Sequence, residues 1–201
     1  MCFHSQQSKD AQTLEKRFKA KFVDAAQYQP SIYNGFAFPF TPVITSLHFE
    51  EIQLFSWGLM PSWAKNIDFR KNTLNAKVET IAEKPSFKNI QNQRCLVLLD
   101  AFFEWQWLDS LGKKKQKYCI ELLDASPFAL AGLWSTWSDP MTDTLWNTYT
   151  ILTTDANEQM SQIHNSKKRM PMILTPEEES IWLQNGKISL ERNVELKTTP
   201  V

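Results

Sequence analysis

The sequence predicts an α+β fold: one mixed domain with an antiparallel, barrel-like β core and peripheral helices. Three observations lead there. The chain has 201 residues, a length that suits one domain, or two small ones, with a real core. Short runs rich in β-branched and aromatic residues recur along it, broken by Pro and turn residues. Helical and strand patterns do not alternate regularly, which disfavours a doubly wound parallel sheet. No repeat, low-complexity segment or linker divides the chain, so a single domain over 1–201 is expected.

The elements follow in order. Ser8 can cap a helix that runs to about Gln27, with Leu14, Phe18, Phe22 and Ala25 on one face. Pro30 ends that region. Tyr33–Phe38, Val43–Phe49 and Ile52–Gly58 read as strands, with a turn at Glu50-Glu51. Leu59 to Trp63 reads as a rigid loop because Pro61 fixes φ and removes a donor. Thr73 to Glu83 suits a second helix, with Leu74, Val78, Ile81 and Ala82 as its apolar stripe and Asn75 and Glu79 sharing another face. Arg94–Leu99, Phe102–Trp107 and Tyr118–Leu123 are strands, the last two joined by a Lys-rich turn. Phe128–Trp137 and Trp146–Thr153 form a further pair. Asp155 is placed to cap a short helix carrying Ile163 and His164, and Met170–Leu174 is extended. Pro176 opens a last helix whose first turn holds Glu177, Glu178 and Glu179, favourable at the positive end of its dipole. The tail from about Ser189 is polar and expected to pack loosely.

Composition narrows the function. Hydrophobic residues make up 42% and charged residues 22%, which is globular rather than disordered. No apolar run approaches a membrane span, and the start has no signal-peptide pattern. The five Gly form no phosphate-binding loop. The three Cys (2, 95, 119) and three His (4, 48, 164) are isolated, so neither a metal nor a cofactor is expected. Unclustered Cys without a signal reads as reduced and cytoplasmic. Lys plus Arg equals Asp plus Glu at 22 each. Yet residues 1–120 carry sixteen basic against eleven acidic groups, and residues 121–201 six against eleven. The neutral total leaves room for an anionic partner on the first part; ordinary surface scatter explains the split equally well.

Four residues could carry chemistry. Once Met1 is removed, Cys2 bears an α-amine with a pKa of about 7.7–8.0 and a thiol near 8.5 on adjacent carbons. Such a pair condenses with an aldehyde to an imine and closes to a five-membered thiazolidine; a chance Cys after the start codon is the commoner reading of position alone. Glu104, between Phe103 and Trp105, would have a raised pKa if buried, and is an ordinary surface residue if not. His164 is a lone His of the kind more often structural than catalytic. Asn75 could fix a carbonyl or hydroxyl, or be solvated. Of the eight Trp, Trp134, Trp146 and Trp182 suit a core, whereas Trp63, with Trp57 and Trp105, could stack on nucleobases.

Taken together and in order, the motifs resemble the SOS-response-associated peptidase (SRAP) family. They are Met1-Cys2, Trp57-Gly58-Leu59-Met60-Pro61-Ser62-Trp63, Asn75-Ala76-Lys77-Val78-Glu79-Thr80, Arg94-Cys95-Leu96, Phe103-Glu104-Trp105, Ala129 to Trp134, Ile151 to Thr154, Ile163-His164 and Arg169-Met170-Pro171. They span about residues 2–174. The resemblance implies a cleft for single-stranded DNA and recognition of abasic sites, whose ring-opened sugar exposes an aldehyde. It assigns Cys2 to the thiazolidine DNA–protein crosslink, Asn75 to placing the opened sugar, Glu104 to proton shuttling, and His164 to acid–base work and crosslink reversal. It further implies β-elimination as a lyase and autopeptidase removal of the initiator Met. His4, Trp57, Trp63, Lys77 and Trp105 are the expected DNA contacts, and a monomer is expected.

The sequence departs from the family pattern in three ways. Phe3-His4 stands where Gly-Arg is usual, and Lys77 where Arg is usual, so charge or bidentate geometry toward phosphate is reduced. The chain begins with Met1, and while Met1 is attached the Cys2 amine is acylated. Two other classes stay open: a cysteine peptidase using Cys2 with His164 and Glu104, and a non-covalent single-strand-binding module.

Overall fold

Five strands with apolar residues on both faces close on themselves. They are β4 (Phe40–Thr45), β5 (His48–Trp57), β7 (Arg94–Leu99), β10 (Phe128–Ser138) and β11 (Leu145–Asp155), numbered in chain order among the fourteen strands of the described residues. The order β11-β10-β7-β4-β5 is antiparallel throughout, and β5 then pairs in parallel with β11, Ser56 beside Thr148 and Trp57 beside Tyr149. The ring is therefore a five-stranded mixed barrel, in agreement with the barrel-like α+β expectation. This computed structural model describes residues 2–201; Met1, on whose removal the proposed chemistry depends, lies outside the described residues.

A second, antiparallel sheet packs beside the barrel. It comprises β3 (Ser31–Asn34), β1 (His4–Gln7), β8 (Ala101–Trp107), β9 (Lys115–Leu122) and β14 (Leu196–Pro200), in that spatial order. The short strands β2 (Lys21–Phe22), β6 (Asn75–Lys77), β12 (Arg169–Pro171) and β13 (Ile173–Leu174) extend the barrel sheet, and the helices are α1 (Ala11–Phe18), α2 (Glu158–Ile163) and α3 (Pro176–Leu183). Strand alternation divides the interior in two. Cys95, Val97 and Leu99 of β7 join a core shared with Cys2, Phe102 and Ile120 from the second sheet. Leu96 and Leu98 face the other core, with Leu14 of α1 and Trp182 and Leu183 of α3. Among the described residues no helix is long and apolar enough to cross a membrane.

Gly132 shows how closely the barrel is packed. It pairs with Cys95 on one side and Ile151 on the other. A Cβ there would stand 2.8 Å from Cys95 Sγ and 2.8 Å from the Thr150 carbonyl oxygen, and the latter is backbone. Gly132→Ala is expected to destabilise the fold by about 1–3 kcal/mol through overpacking. Urea unfolding checks this, and an unchanged midpoint would count against the packing argument.

Several sequence expectations are corrected. The first helix stops at Phe18, capped by Asp10 rather than Ser8, with Lys19 in the left-handed region at φ 54°. Ser8 bonds Asp100 instead, and Phe22 pairs with Ile52 and stacks on Tyr28. Thr73 to Glu83 is not a helix: β6 runs beside Ile151–Thr153, and a 3₁₀ turn follows at Val78–Thr80. Leu74 and Ala76 are buried at period two, and so short a run fits either period until a neighbouring strand decides. The chain continues as β5 through Glu50-Glu51 and turns at Ser46-Leu47. Asn157, not Asp155, caps α2 by accepting from Met160 N–H. The tail is anchored: β14 pairs with β9, and the buried Arg192 bonds the Ile173 carbonyl and Glu178.

Candidate active site

The site is built around the residue that leads into β1. Cys2 is completely buried in the core between barrel and sheet. Its backbone is held on both sides. Asn75 Nδ2 donates to the Cys2 carbonyl at 2.8 Å, and Gly35 N–H donates to the Phe3 carbonyl at 2.8 Å. The Cys2 S–H lies 3.7 Å from the His4 carbonyl oxygen, a weak donor contact. Burial, reinforced by the nearby Glu104 charge, pushes the thiol well above its ordinary pKa, so it is protonated near neutrality.

Asn75 reaches Cys2 because β6 is laid along β11, with Asn75 opposite Ile151. Its Oδ1 is buried and has no hydrogen-bond partner among the described residues. A buried amide oxygen of this kind is costly unless a ligand group donates to it. Glu104 comes from β8, which pairs with β1 through His4–Phe103 and so runs alongside the Cys2 segment. The Glu104 side chain is buried. Burial pushes its carboxyl up to about 7, so both protonation states are populated near neutral pH.

His164 is delivered by the end of α2. Met160 and Ile163 of that helix share the core with Cys2. The following turn is fastened to β8: Asn165 accepts from Trp107 N–H at 3.0 Å and donates to the Trp107 carbonyl at 2.9 Å, and Gln106 donates to the Gln162 carbonyl at 3.0 Å. His164 Nδ1 lies 2.8 Å from the Arg169 carbonyl oxygen. The Arg169 N–H donates to the same Nδ1 at 3.2 Å, so both backbone groups of Arg169 hold this ring nitrogen in place. Burial lowers the His164 pKa to about 4, so the ring is neutral at pH 7.

One cluster escaped sequence reading. Arg169 makes a two-pronged pair with Glu79 at 2.8 and 2.9 Å, a 2.6 Å bond to Asp155 and another of 2.6 Å to the Thr153 carbonyl. It ties the turn after Asn75 to the residue bonded to His164. Glu79 and Arg169 each lay in a quoted motif, but their pairing spans 90 residues and leaves no periodic trace.

The expected DNA contacts divide. His4 is partly buried and meets Trp105 edge-on at 4.9 Å; burial and Lys117 lower its pKa. Lys117 sits 4.1 Å from the Phe103 ring centre and 5.9 Å from that of Trp105. Trp63 is 51% exposed and Lys77 is exposed. Trp63 packs on Phe69 at the edge of a separate cluster built on Met60, Ala64 and Trp137. Trp57 does not face solvent: it is fully buried and stacks on Tyr149, because period two along β5 points it, with Phe55, into the core that also holds Cys2. A cavity of about 460 Å³ lies elsewhere, among Phe18, Ile44, Phe49 and Leu183, and none of the candidate residues lines it.

Comparison with known proteins identifies the family. The family model described as SOS response associated peptidase (SRAP) matches residues 1–200. "Abasic site processing protein YoqW" of Bacillus subtilis (strain 168) is 38% identical over 164 residues, covering 81% of this chain and 70% of that protein. "Abasic site processing protein HMCES" of Rattus norvegicus is 33% identical over 212 residues, covering 86% of this chain but only 58% of its own. A crystal structure of a Bacteroides thetaiotaomicron protein superposes with a TM-score of 0.89 at 35% identity, over 100% of this chain and 92% of that one. The chain belongs to the SOS response associated peptidase (SRAP) family.

Proposed function

We propose that the protein processes abasic sites in single-stranded DNA by capturing their aldehyde on Cys2. The observation that carries this reading is the setting of Cys2: a buried cysteine whose carbonyl is held by Asn75, beside a carboxyl with a pKa of about 7. Relatives named as abasic site processing proteins support it.

The chemistry balances without a co-reactant. After removal of Met1, the neutral α-amine of Cys2 attacks the C1′ aldehyde of the opened sugar. The carbinolamine loses water to give an imine. The thiol sulfur then adds to the imine carbon, and the thiol proton passes to the nitrogen. The products are a thiazolidine and one water. Glu104 supplies the proton that opens the sugar ring and accepts it back. The Asn75 Oδ1 accepts from a sugar hydroxyl. His164, neutral at pH 7, serves as acid–base partner near that hydroxyl and in crosslink reversal. The same imine permits β-elimination, and removal of Met1 by the protein itself would expose the amine. The strand is led to Cys2 by His4, Lys77, Lys117, Trp105 and Trp63, through phosphate charge and base stacking.

The test uses protein whose intact mass shows Met1 removed. It is mixed with a single strand carrying one abasic site, and with the same strand undamaged. A heat-stable adduct on the abasic strand alone is expected. Equal binding to both strands without an adduct would leave only a non-covalent binding module, and peptide cleavage in trans without DNA would favour the peptidase reading.

A further inference from the structure

Trp57 belongs to the core, yet its contacts converge on the N-terminal segment. Its Nε1–H donates to the Leu74 carbonyl at 2.8 Å, in the peptide link just before Asn75. Ile151 N–H donates to the same oxygen at 3.2 Å. Asn75 in turn donates to the Cys2 carbonyl at 2.8 Å. On its other side the indole backs onto Gly35. A Cβ on Gly35 would stand 3.3 Å from the Trp57 ring and 3.3 Å from the Phe3 carbonyl oxygen, so only glycine fits without displacing one of them. Gly35 N–H donates to that Phe3 oxygen. The carbonyls of two consecutive residues, Cys2 and Phe3, are thus held by Asn75, whose preceding carbonyl is bonded by the indole, and by Gly35, which lies against it. The indole is itself fixed, near-parallel to Tyr149 at 6.2 Å and 14°, and the Tyr149 hydroxyl shares a buried 2.6 Å hydrogen bond with Thr41.

The geometry points to Trp57 as a positioning residue that sets the Cys2 backbone through Asn75 and Gly35. The inference rests on the aldehyde-capture reading. Amine and thiol of one residue must meet a single carbon in sequence, so the rate depends on how firmly the Cys2 backbone is oriented before the aldehyde arrives.

Trp57→Phe keeps an aromatic ring and deletes the N–H. Three quantities are measured: the single-turnover rate of adduct formation on abasic single-stranded DNA, the affinity for the undamaged strand, and hydrogen exchange of the Asn75 side-chain amide by NMR. The adduct rate is expected to fall by about tenfold or more, while binding of the undamaged strand holds and Asn75 amide exchange accelerates. In an Asn75→Ala background, Trp57→Phe should add little, since both act on one chain of contacts. An unchanged rate, or two effects that simply multiply, would overturn the assignment. If Trp57→Phe does not fold, Gly35→Ala probes the same support with the indole intact, and an unaltered adduct rate there overturns it equally. If the wild-type protein forms no adduct, aldehyde capture has failed; positioning is then judged by Asn75 amide exchange alone, and unchanged exchange in the variant refutes it.

Discussion

Cys2→Ala is expected to abolish the heat-stable adduct with abasic single-stranded DNA. Alanine keeps the α-amine once Met1 is gone, so the aldehyde can still form an imine. An imine hydrolyses readily; closure by the thiol is what makes the product durable. The variant should therefore lose the adduct on heating yet yield one when borohydride reduces the imine in place. Gel analysis of both conditions separates the amine from the thiol. A heat-stable adduct from Cys2→Ala without reductant would sink the thiazolidine. Failure to trap with borohydride would remove the amine from the mechanism.

The second large effect falls on Glu104. Glu104→Gln preserves shape and removes the transferable proton, so the adduct rate should drop by about a hundredfold or more, the usual worth of a positioned general acid–base. The pH profile carries the sharper test. Burial holds the carboxyl at about 7, and the form that donates to the sugar oxygen is the protonated one. The wild-type rate should bend downward as pH rises through about 7, and that bend should vanish in Glu104→Gln. Wild-type stability should fall over the same range. A free Glu titrates near 4.3, so the folded state holds the proton more tightly than the unfolded one. The stability this confers is complete below the unfolded value and is lost as pH rises through the folded one. Relative to wild type, Glu104→Gln should be more stable at pH 8 than at pH 5. A rate profile unaltered near pH 7 would deny Glu104 its role.

Glu104 also explains why β8 matters more than its length suggests. Its residues place the carboxyl beside the Cys2 segment, and its end fastens the turn that carries His164. The Arg169 cluster joins that turn to the segment after Asn75. Motifs separated by most of the chain are thereby brought into one site.

The strands of the barrel were legible in the sequence because apolar and β-branched runs such as Arg94–Leu99 and Phe128–Trp137 have few other ways to bury themselves. The last helix was legible too, since Pro176 and the acidic first turn are local signals, and the capping box at Thr175 and Glu178 completes them. Cys2 and the ordered motifs pointed to the family, and the family model matches residues 1–200. The structure decided the rest. Asn75 sits on a strand because β11 offers its backbone a partner, not because of any pattern within Thr73 to Glu83. Trp57 is interior because β5 closes the barrel against β11. The Glu104 pKa depends on burial, and burial depends on packing between sheet and barrel. A sequence by itself determines which groups exist and how each short segment can fold; only tertiary contact decides which are desolvated and which meet, because both are properties of distant residues brought together.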